Sequence, residues 1–187
     1  MNETLTPAAI IRKYYKDSPV AHKILLSHSR KVTKKALTIG RKLADNGVPI
    51  NLNFLAEAAM LHDIGMIRTN TPDLGCRGSG PYLQHGIKGK ILLLKEGLPE
   101  HAEVCERHIG VGLSADEIRA QHLPLPARDM QPQTLEQQII CYADLFYSKN
   151  QTERDVEQTP DEIRNKLRRF GKEKANVFDQ WHERFKI

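Results

Sequence analysis

The stretch Leu61-His62-Asp63-Ile64-Gly65 closes an apolar helical run with two polar side chains. Leu55, Ala59 and His62 recur at the spacing of one helix face, and Asp63 falls on the adjoining stripe. Both polar side chains are therefore expected to point into the core. A buried carboxylate is unfavourable unless it is paired or binds a metal, and the adjacent imidazole favours a metal as its partner. The alternative is a His-Asp pair satisfied by ordinary hydrogen bonds.

Composition and charge limit the class of protein. With 187 residues, 40% of them hydrophobic and 27% charged, the chain is expected to form one globular domain. No apolar run approaches the roughly 20 residues that cross a bilayer, and Met1-Asn2-Glu3 lacks a signal-peptide pattern, so we expect no membrane contact. Three scattered cysteines indicate a reduced, cytoplasmic environment. The net charge of +5 suits anionic ligands without selecting among them.

Apolar periodicity and capping signals predict an all-α fold with about seven or eight helices and no strand. We place one domain over residues 1–187, with a core at about 20–150 and a C-terminal helix at about 160–184 packing on it. The loop from Met66 to Pro81 is long enough to be a lid or binding loop, and a disordered surface loop is the alternative. Two helices are expected at 7–16 and 19–45, and a third is expected to end at 62–63. Further helices are expected to begin near Tyr82, Pro99, Ser114, Thr134 and Pro160.

Six residues of metal-ligating type fall at core positions or at the start of these predicted helices. A single such residue is usually a hydrogen-bonded core residue, but six are difficult to satisfy separately in one small domain. One shared polar cavity is simpler. Imidazoles and carboxylates bind Fe, Mn, Zn, Co or Ni, and Mg is kept among the candidates because carboxylates bind it too. Two divalent metals that share a carboxylate would use all six ligands. The residues are His28, His62, Asp63, His85, His108 and Asp144.

The order of these residues resembles the HD-domain superfamily of metal-dependent phosphohydrolases. The shared pattern is a histidine, then His-Asp followed by Ile64-Gly65, then two single histidines and a late aspartate, over roughly residues 20–150. The resemblance implies two metal sites and a hydroxide that bridges them as nucleophile, with Asp63 as the shared catalytic ligand. One metal would take His28, His62, Asp63 and Asp144, and the other His85, His108 and the second oxygen of Asp63.

Basic residues near the ligand segments are candidates for contacting a phosphate, and exposed solubilising charge is the alternative for each. They are Arg68, Lys88, Arg107 and Lys149. Members of the superfamily often carry a lysine directly after His-Asp-Ile-Gly, whereas this sequence has Met66 there. From the resemblance and these basic residues together, the expected substrate is a nucleotide or another small phosphate ester.

Two other functions stay open at this point. The same six-ligand pattern resembles diiron oxygenases of this superfamily, and the domain would otherwise be a non-catalytic sensor or binding module. The basic face of the helix at 19–45 has no interleaved aromatic residues, so a nucleic-acid partner is not expected. The oligomeric state is left open.

Overall fold

The computed structural model describes residues 6–150 and 156–186. Three 3₁₀ helices, Ile64–Arg68, Pro72–Leu74 and Tyr82–Gln84, lie between the longer elements, and strands β1 (Asn70–Thr71) and β2 (Cys76–Arg77) pair antiparallel. The nine α-helices of these residues are α1 (Pro7–Tyr15), α2 (Pro19–Asp45), α3 (Leu52–Leu61), α4 (His85–Lys95), α5 (Pro99–Arg107), α6 (Ala115–Ala120), α7 (Leu135–Asp144), α8 (Pro160–Arg168) and α9 (Lys172–Phe185).

The predicted all-α class is confirmed, with one correction to the absence of strands. The loop from residue 66 to 81 contains the two-stranded sheet, in which Asn70 pairs with Arg77 and Thr71 pairs with Cys76. Strands of two residues are too short to produce an alternating pattern of burial, so periodicity could not reveal them. None of the helices in residues 6–150 and 156–186 has the length and apolarity to cross a membrane. Met1-Asn2-Glu3 lies outside the described residues.

Side-chain caps set the starts of most helices. Asn51 accepts a hydrogen bond from the Phe54 amide and so begins α3. Complete capping boxes begin α6 and α7, as the sequence predicts from Ser114 and Thr134, and a third begins α8 at Thr159. At the start of α2 the side chain of Ser18 makes no such bond, and a proline at the first helical position suits the backbone instead.

The predicted C-terminal helix is wrong in one respect, because it is two helices. The break falls between Arg168 and Lys172, where Gly171 has a φ of 141° that other L-residues rarely adopt. The resulting α8 and α9 pack against each other and bury Ile163 and Phe178 in the same apolar cluster as parts of α2, α3 and α7.

Two apolar clusters meet along α2, and His28 lies where they meet. Leu25 belongs to the cluster that α2 shares with α1, α4 and α5, whereas Val32 belongs to the cluster shared with α7, α8 and α9. His28 lies between these two residues on the same buried face. The histidine is therefore held by packing on both sides.

Glycines bring the chain after His62-Asp63 against α4. A Cβ on Gly65 would stand 2.0 Å from the His85 carbonyl oxygen and 2.2 Å from the Gly89 amide nitrogen. Real side chains cannot approach backbone atoms this closely, so only glycine fits there. The same close approach places the turn that carries Asp63 beside the first residue of α4, His85.

Candidate metal centre

Five segments of the chain contribute side chains to one buried cluster. His28 lies in the middle of α2. His62 and Asp63 come directly after α3, which ends at Leu61 and is therefore slightly shorter than the predicted helix ending at 62–63. The first residue of α4, the residue after α5 and the last residue of α7 complete the set. These residues are His85, His108 and Asp144. The structure therefore brings together all six residues that the sequence singled out.

The four-residue group consists of His28, His62, Asp63 and Asp144, whose ligand atoms all lie within 4.8 Å of one another. The Nε2 atom of His28 lies 3.1 Å from Asp63 Oδ2 and 2.8 Å from Asp144 Oδ1. The Nε2 atom of His62 lies 3.0 Å and 3.4 Å from the same two oxygens. Two imidazole nitrogens and two carboxylate oxygens therefore face one small volume.

The three-residue group consists of Asp63, His85 and His108 and meets the same distance limit. Here the other carboxylate oxygen, Asp63 Oδ1, lies 3.2 Å from His85 Nε2 and 3.4 Å from His108 Nε2. The two histidine Nε2 atoms are 3.0 Å apart. Asp63 thus belongs to both groups through different oxygens.

Backbone carbonyls orient three of the four histidines. The Nδ1 atoms of His62, His85 and His108 lie 2.7, 2.7 and 2.8 Å from the carbonyl oxygens of the residues three positions earlier. A carbonyl oxygen only accepts, so each Nδ1 carries the proton. In a neutral ring the lone pair is then on Nε2, the atom that faces the cluster. This arrangement is usual for histidines that bind metals.

The donor set fits divalent cations. Neither Asp63 Oδ1 nor Asp144 Oδ1 accepts a well-formed hydrogen bond from any described residue, although both atoms are buried. The short contact between His85 Nε2 and His108 Nε2 opposes two lone pairs when both rings are neutral. Buried, electron-rich atoms in such proximity are favourable only around positive charge. Imidazole nitrogen and carboxylate oxygen are ligands of Zn, Fe, Mn, Co and Ni.

The ionisation of the cluster differs between its two parts. Burial alone disfavours charge on His62, but the Asp63 and Asp144 carboxylates outweigh it and raise the pKa of His62 to about 10. Burial lowers the pKa of His85 to about 3 despite the attraction of Asp63. Burial also opposes ionisation of Asp63, yet Lys149 and His62 hold its pKa well below the usual range. Burial likewise opposes ionisation of Asp144, but Lys149 and His28 hold its pKa well below the usual range. Asp63 and Asp144 are thus ionised at neutral pH, and His85 is neutral.

Lys149 is the basic candidate that the structure places at the cluster. Its Nζ atom lies 2.5 Å from Asp63 Oδ2, and its side chain is 11% exposed. Burial disfavours the ammonium form, but Asp63 outweighs this effect and raises the pKa of Lys149 above its ordinary value. A permanent cation therefore stands beside the shared carboxylate.

The other three basic candidates are not brought to the cluster. Arg68 is exposed on the loop after Asp63, and Lys88 is half-buried on α4. Arg107 forms an ion pair with Glu103 and donates to the carbonyl of Gln131. These contacts of the Arg107 guanidinium join α5 to the loop that follows α6. Arg68, Lys88 and Arg107 line neither of the two cavities next to the cluster.

Tyr82 is a residue of this region that the sequence did not indicate. Its carbonyl oxygen accepts a hydrogen bond from His85 Nδ1, and its ring stacks on the imidazole of His85 with centroids 4.4 Å apart. The Lys149 Nζ atom lies 5.9 Å from the same ring centroid. The position three residues before a clustered histidine, which recurs at Ala59 and Cys105, indicates the carbonyl acceptor, whereas the stacking of the Tyr82 ring has no signal in the sequence.

A polar cavity of about 600 Å³ opens beside Lys149. The loop from residue 66 to 81 contributes Thr71 and Asp73 to its wall, opposite Ser148 and Asn150. The loop from residue 66 to 81 therefore forms part of the cavity that Lys149 also lines, which favours a binding loop over a disordered surface loop.

A family model described as the HD domain matches residues 25–148. The chain belongs to the HD-domain family. The match begins in α2 shortly before His28 and ends just beyond α7, so it contains all six clustered residues. Proteins of this family bind divalent metals, and the buried His/Asp cluster is where this HD domain presents suitable ligands.

Three curated proteins are similar to most of this chain. A tRNA (cytidine(56)-2'-O)-methyltransferase of Picrophilus torridus is 31% identical over 147 residues, which cover 78% of this chain but 38% of that protein. The corresponding methyltransferase of Thermoplasma volcanium is 28% identical over 143 residues, covering 76% and 37%. An uncharacterised protein of Methanocaldococcus jannaschii is 29% identical over 155 residues, covering 82% and 81%. This chain thus spans less than half the length of the two methyltransferases.

Solved structures show the same fold. The HD domain of the L. monocytogenes phosphodiesterase PgpH in complex with cyclic-di-AMP aligns with a TM-score of 0.53 and 18% identity, covering 93% of this chain and 82% of that one. The HD domain of PgpH in a second structure gives the same TM-score and identity, covering 90% and 92%. At this identity the likeness concerns the fold.

Proposed function

We propose that this HD domain is a metal-dependent hydrolase of phosphate esters, with a nucleotide or nucleotide-derived ester as substrate. The observation that carries the proposal is the division of six buried ligands into two groups that share Asp63. Each of its carboxylate oxygens faces a different pair of histidines, at 3.0–3.1 Å on one side and 3.2–3.4 Å on the other. Such an arrangement suits two cations placed side by side.

In this proposal His28, His62, Asp63 and Asp144 hold one divalent metal, and Asp63, His85 and His108 hold the second. Bound metals of this kind supply Lewis-acid polarisation of a phosphoryl oxygen and lower the pKa of water towards neutrality. The protein residues contribute the orientation of these ligands. Carbonyl partners hold three of the histidine rings with Nε2 facing the cluster, so the rings keep this orientation when a cation binds.

Lys149 and Tyr82 shape the place where the phosphate would lie. The Lys149 ammonium stands 2.5 Å from Asp63 and lines the polar cavity, so it is positioned to meet a phosphoryl oxygen arriving at the cluster. The Tyr82 ring covers His85 and, as an apolar surface, limits the access of bulk water. Together, the Lys149 ammonium offers an anionic ester a fixed positive charge, and the Tyr82 ring offers it a surface that excludes water.

The comparisons support a nucleotide-type substrate. The similar HD domain of PgpH was solved with cyclic-di-AMP, and two relatives that contain a matching segment are tRNA methyltransferases. All three names concern nucleotides or polynucleotides. The net charge of +5 agrees with an anionic substrate but would also agree with other phosphate esters.

Release of inorganic phosphate from a panel of nucleotides and sugar phosphates tests the proposal. The protein is purified without chelator, its metals are counted, and the assay is run under strict anaerobiosis with Mn, Mg or Zn. We expect hydrolysis of at least one nucleotide under these conditions, because attack of water on phosphorus needs no electron acceptor. The variant Asp63→Ala, purified in parallel, controls for contaminating phosphatase.

Two results would overturn the proposal. Turnover that requires both iron and air would indicate an oxygenase, since that chemistry consumes dioxygen through a redox-active metal. Turnover of no panel member with any metal would favour a binding or sensor module.

A further inference from the structure

A second, apolar cavity of about 450 Å³ lies beside the cluster and has no role in the chemistry described above. Its size falls within the range of roughly 300–1,000 Å³ that is usual for small-molecule sites. Asp144 belongs both to this wall and to the four-residue group, and Ser148 lines this cavity as well as the polar one. The apolar cavity is therefore next to the metal ligands.

Most of the exposed surface of the wall is apolar, although charged side chains such as Lys166 and Lys174 also border it. Leu113 and Ile109 come from the loop after His108, and Leu167 comes from α8 on the opposite side. Phe170 stands at the edge of the cavity and is 67% exposed, which is unusual for a phenylalanine ring. An exposed ring beside an apolar cavity provides a surface on which a flat ligand can stack.

Besides Asp144, which belongs to the metal cluster, a second polar group in this wall has no hydrogen-bond partner among the described residues. The Oε1 atom of Gln158 is buried, yet it accepts no hydrogen bond from the described residues. A buried carbonyl oxygen without a donor is unfavourable, so the ligand that suits this cavity carries an N–H group. An alkyl chain would fill the space but leave Gln158 unsatisfied.

We infer that the apolar cavity binds the base of a nucleotide whose phosphate lies at the metal ligands. The inference rests on the proposed function and specifies the part of the substrate that is selected. A nucleobase has a flat apolar face for Phe170 and an edge with N–H donors for Gln158. Both residues follow position 148, where the family match ends, so the base would be recognised by a part of the chain outside that match.

Binding of nucleosides to the metal-free protein tests the inference without any turnover. Adenosine, guanosine, cytidine and uridine are the probes, ribose is the comparison, and equilibrium dialysis in the presence of chelator gives the dissociation constants. We expect at least one nucleoside to bind and ribose not to bind. Phe170→Ala and Gln158→Leu should each raise the dissociation constant of that nucleoside about tenfold, because the first removes a stacking surface and the second removes a hydrogen-bond acceptor.

Two matched variants control for changes unrelated to the cavity. Leu94→Ala removes an apolar side chain that is 50% exposed on α4, and Gln138→Leu removes a half-buried carboxamide on α7. Neither residue lines the cavity, so both variants should bind the nucleoside as tightly as the original protein does. Circular dichroism of all four variants checks that they are folded.

The results separate this inference from the proposed function. Hydrolysis of ribose 5-phosphate without binding of any nucleoside would leave the hydrolase standing and overturn the base site. Nucleoside binding that is unaffected by Phe170→Ala and Gln158→Leu would place the base elsewhere and also overturn it. Cavity-dependent binding in a protein that hydrolyses nothing would support the base site and reject the hydrolase.

Discussion

The two ligand groups around Asp63 differ in charge although they share that residue. The four-residue group has two carboxylates and an imidazole, His62, whose pKa is raised to about 10 by those carboxylates. The three-residue group has a single carboxylate, and burial lowers the pKa of its His85 to about 3. Because it has two carboxylates rather than one, the first group is the stronger attractor of cations, whereas the second offers fewer protein ligands and more room for water or substrate.

Loss of the shared residue should have the largest effect. In Asp63→Ala both groups lose an oxygen, so we expect neither metal to be retained and phosphate release to fall by roughly 10³-fold or more. Metal content by mass spectrometry and the turnover rate measure the two effects. Asp45→Ala, at an exposed carboxylate on α2, is the matched control and should change neither. Full metal content in Asp63→Ala would disprove the shared role.

Removal of the metals should lower stability next most strongly. The ligands come from five segments, so cations that bind only the folded chain stabilise it by about 4 kcal/mol at 1,000 times the dissociation constant. For a chain of this size, at about 2–4 °C per kcal/mol, that corresponds to roughly 8–16 °C in Tm. Thermal unfolding before and after prolonged chelation measures the shift, and added Mn or Fe should reverse it. An unchanged Tm after proven metal removal would argue against this linkage.

Removal of one histidine from each group sharpens the comparison. His85→Ala should reduce the metal content from two ions to about one per chain, because the four-residue group remains complete. His28→Ala should also lower the content but leave the weaker group occupied, so its remaining metal should be lost at a lower chelator concentration. Chelator titration with metal analysis compares the two variants. Identical titrations would show that the groups do not differ in affinity.

Loss of the fixed cation should have the smallest effect. Lys149→Met removes the ammonium beside Asp63 but none of the ligands, so we expect both metals to stay and KM to rise about tenfold, as for one charged hydrogen bond. Steady-state kinetics on the best nucleotide measures this change. Lys88→Met, on α4 and away from both cavities, should leave KM within about twofold of its original value. Equal effects of the two variants would contradict a phosphate contact by Lys149.

Local signals in the sequence determined the helices and the identity of the candidate ligands. Capping residues such as Ser114 and Thr134 act on the nearest amides, so their effect is readable from a few positions. His28 and Asp144 stood at core positions of predicted helices, where a polar residue needs a partner. The pattern of all six then allowed a resemblance to the HD-domain superfamily, which the family match confirms.

Only the tertiary structure decided how the site is divided and what surrounds it. The assignment of one Asp63 oxygen to each histidine pair depends on the packing of five segments, which no local spacing encodes. Of four basic candidates, folding placed Lys149 at the cluster and gave Arg107 other partners. Gln158 and Phe170 flank α8, and they meet the cavity because α8 packs in the apolar cluster that contains α7. Such contacts join residues far apart in sequence, and their positions follow from packing as a whole.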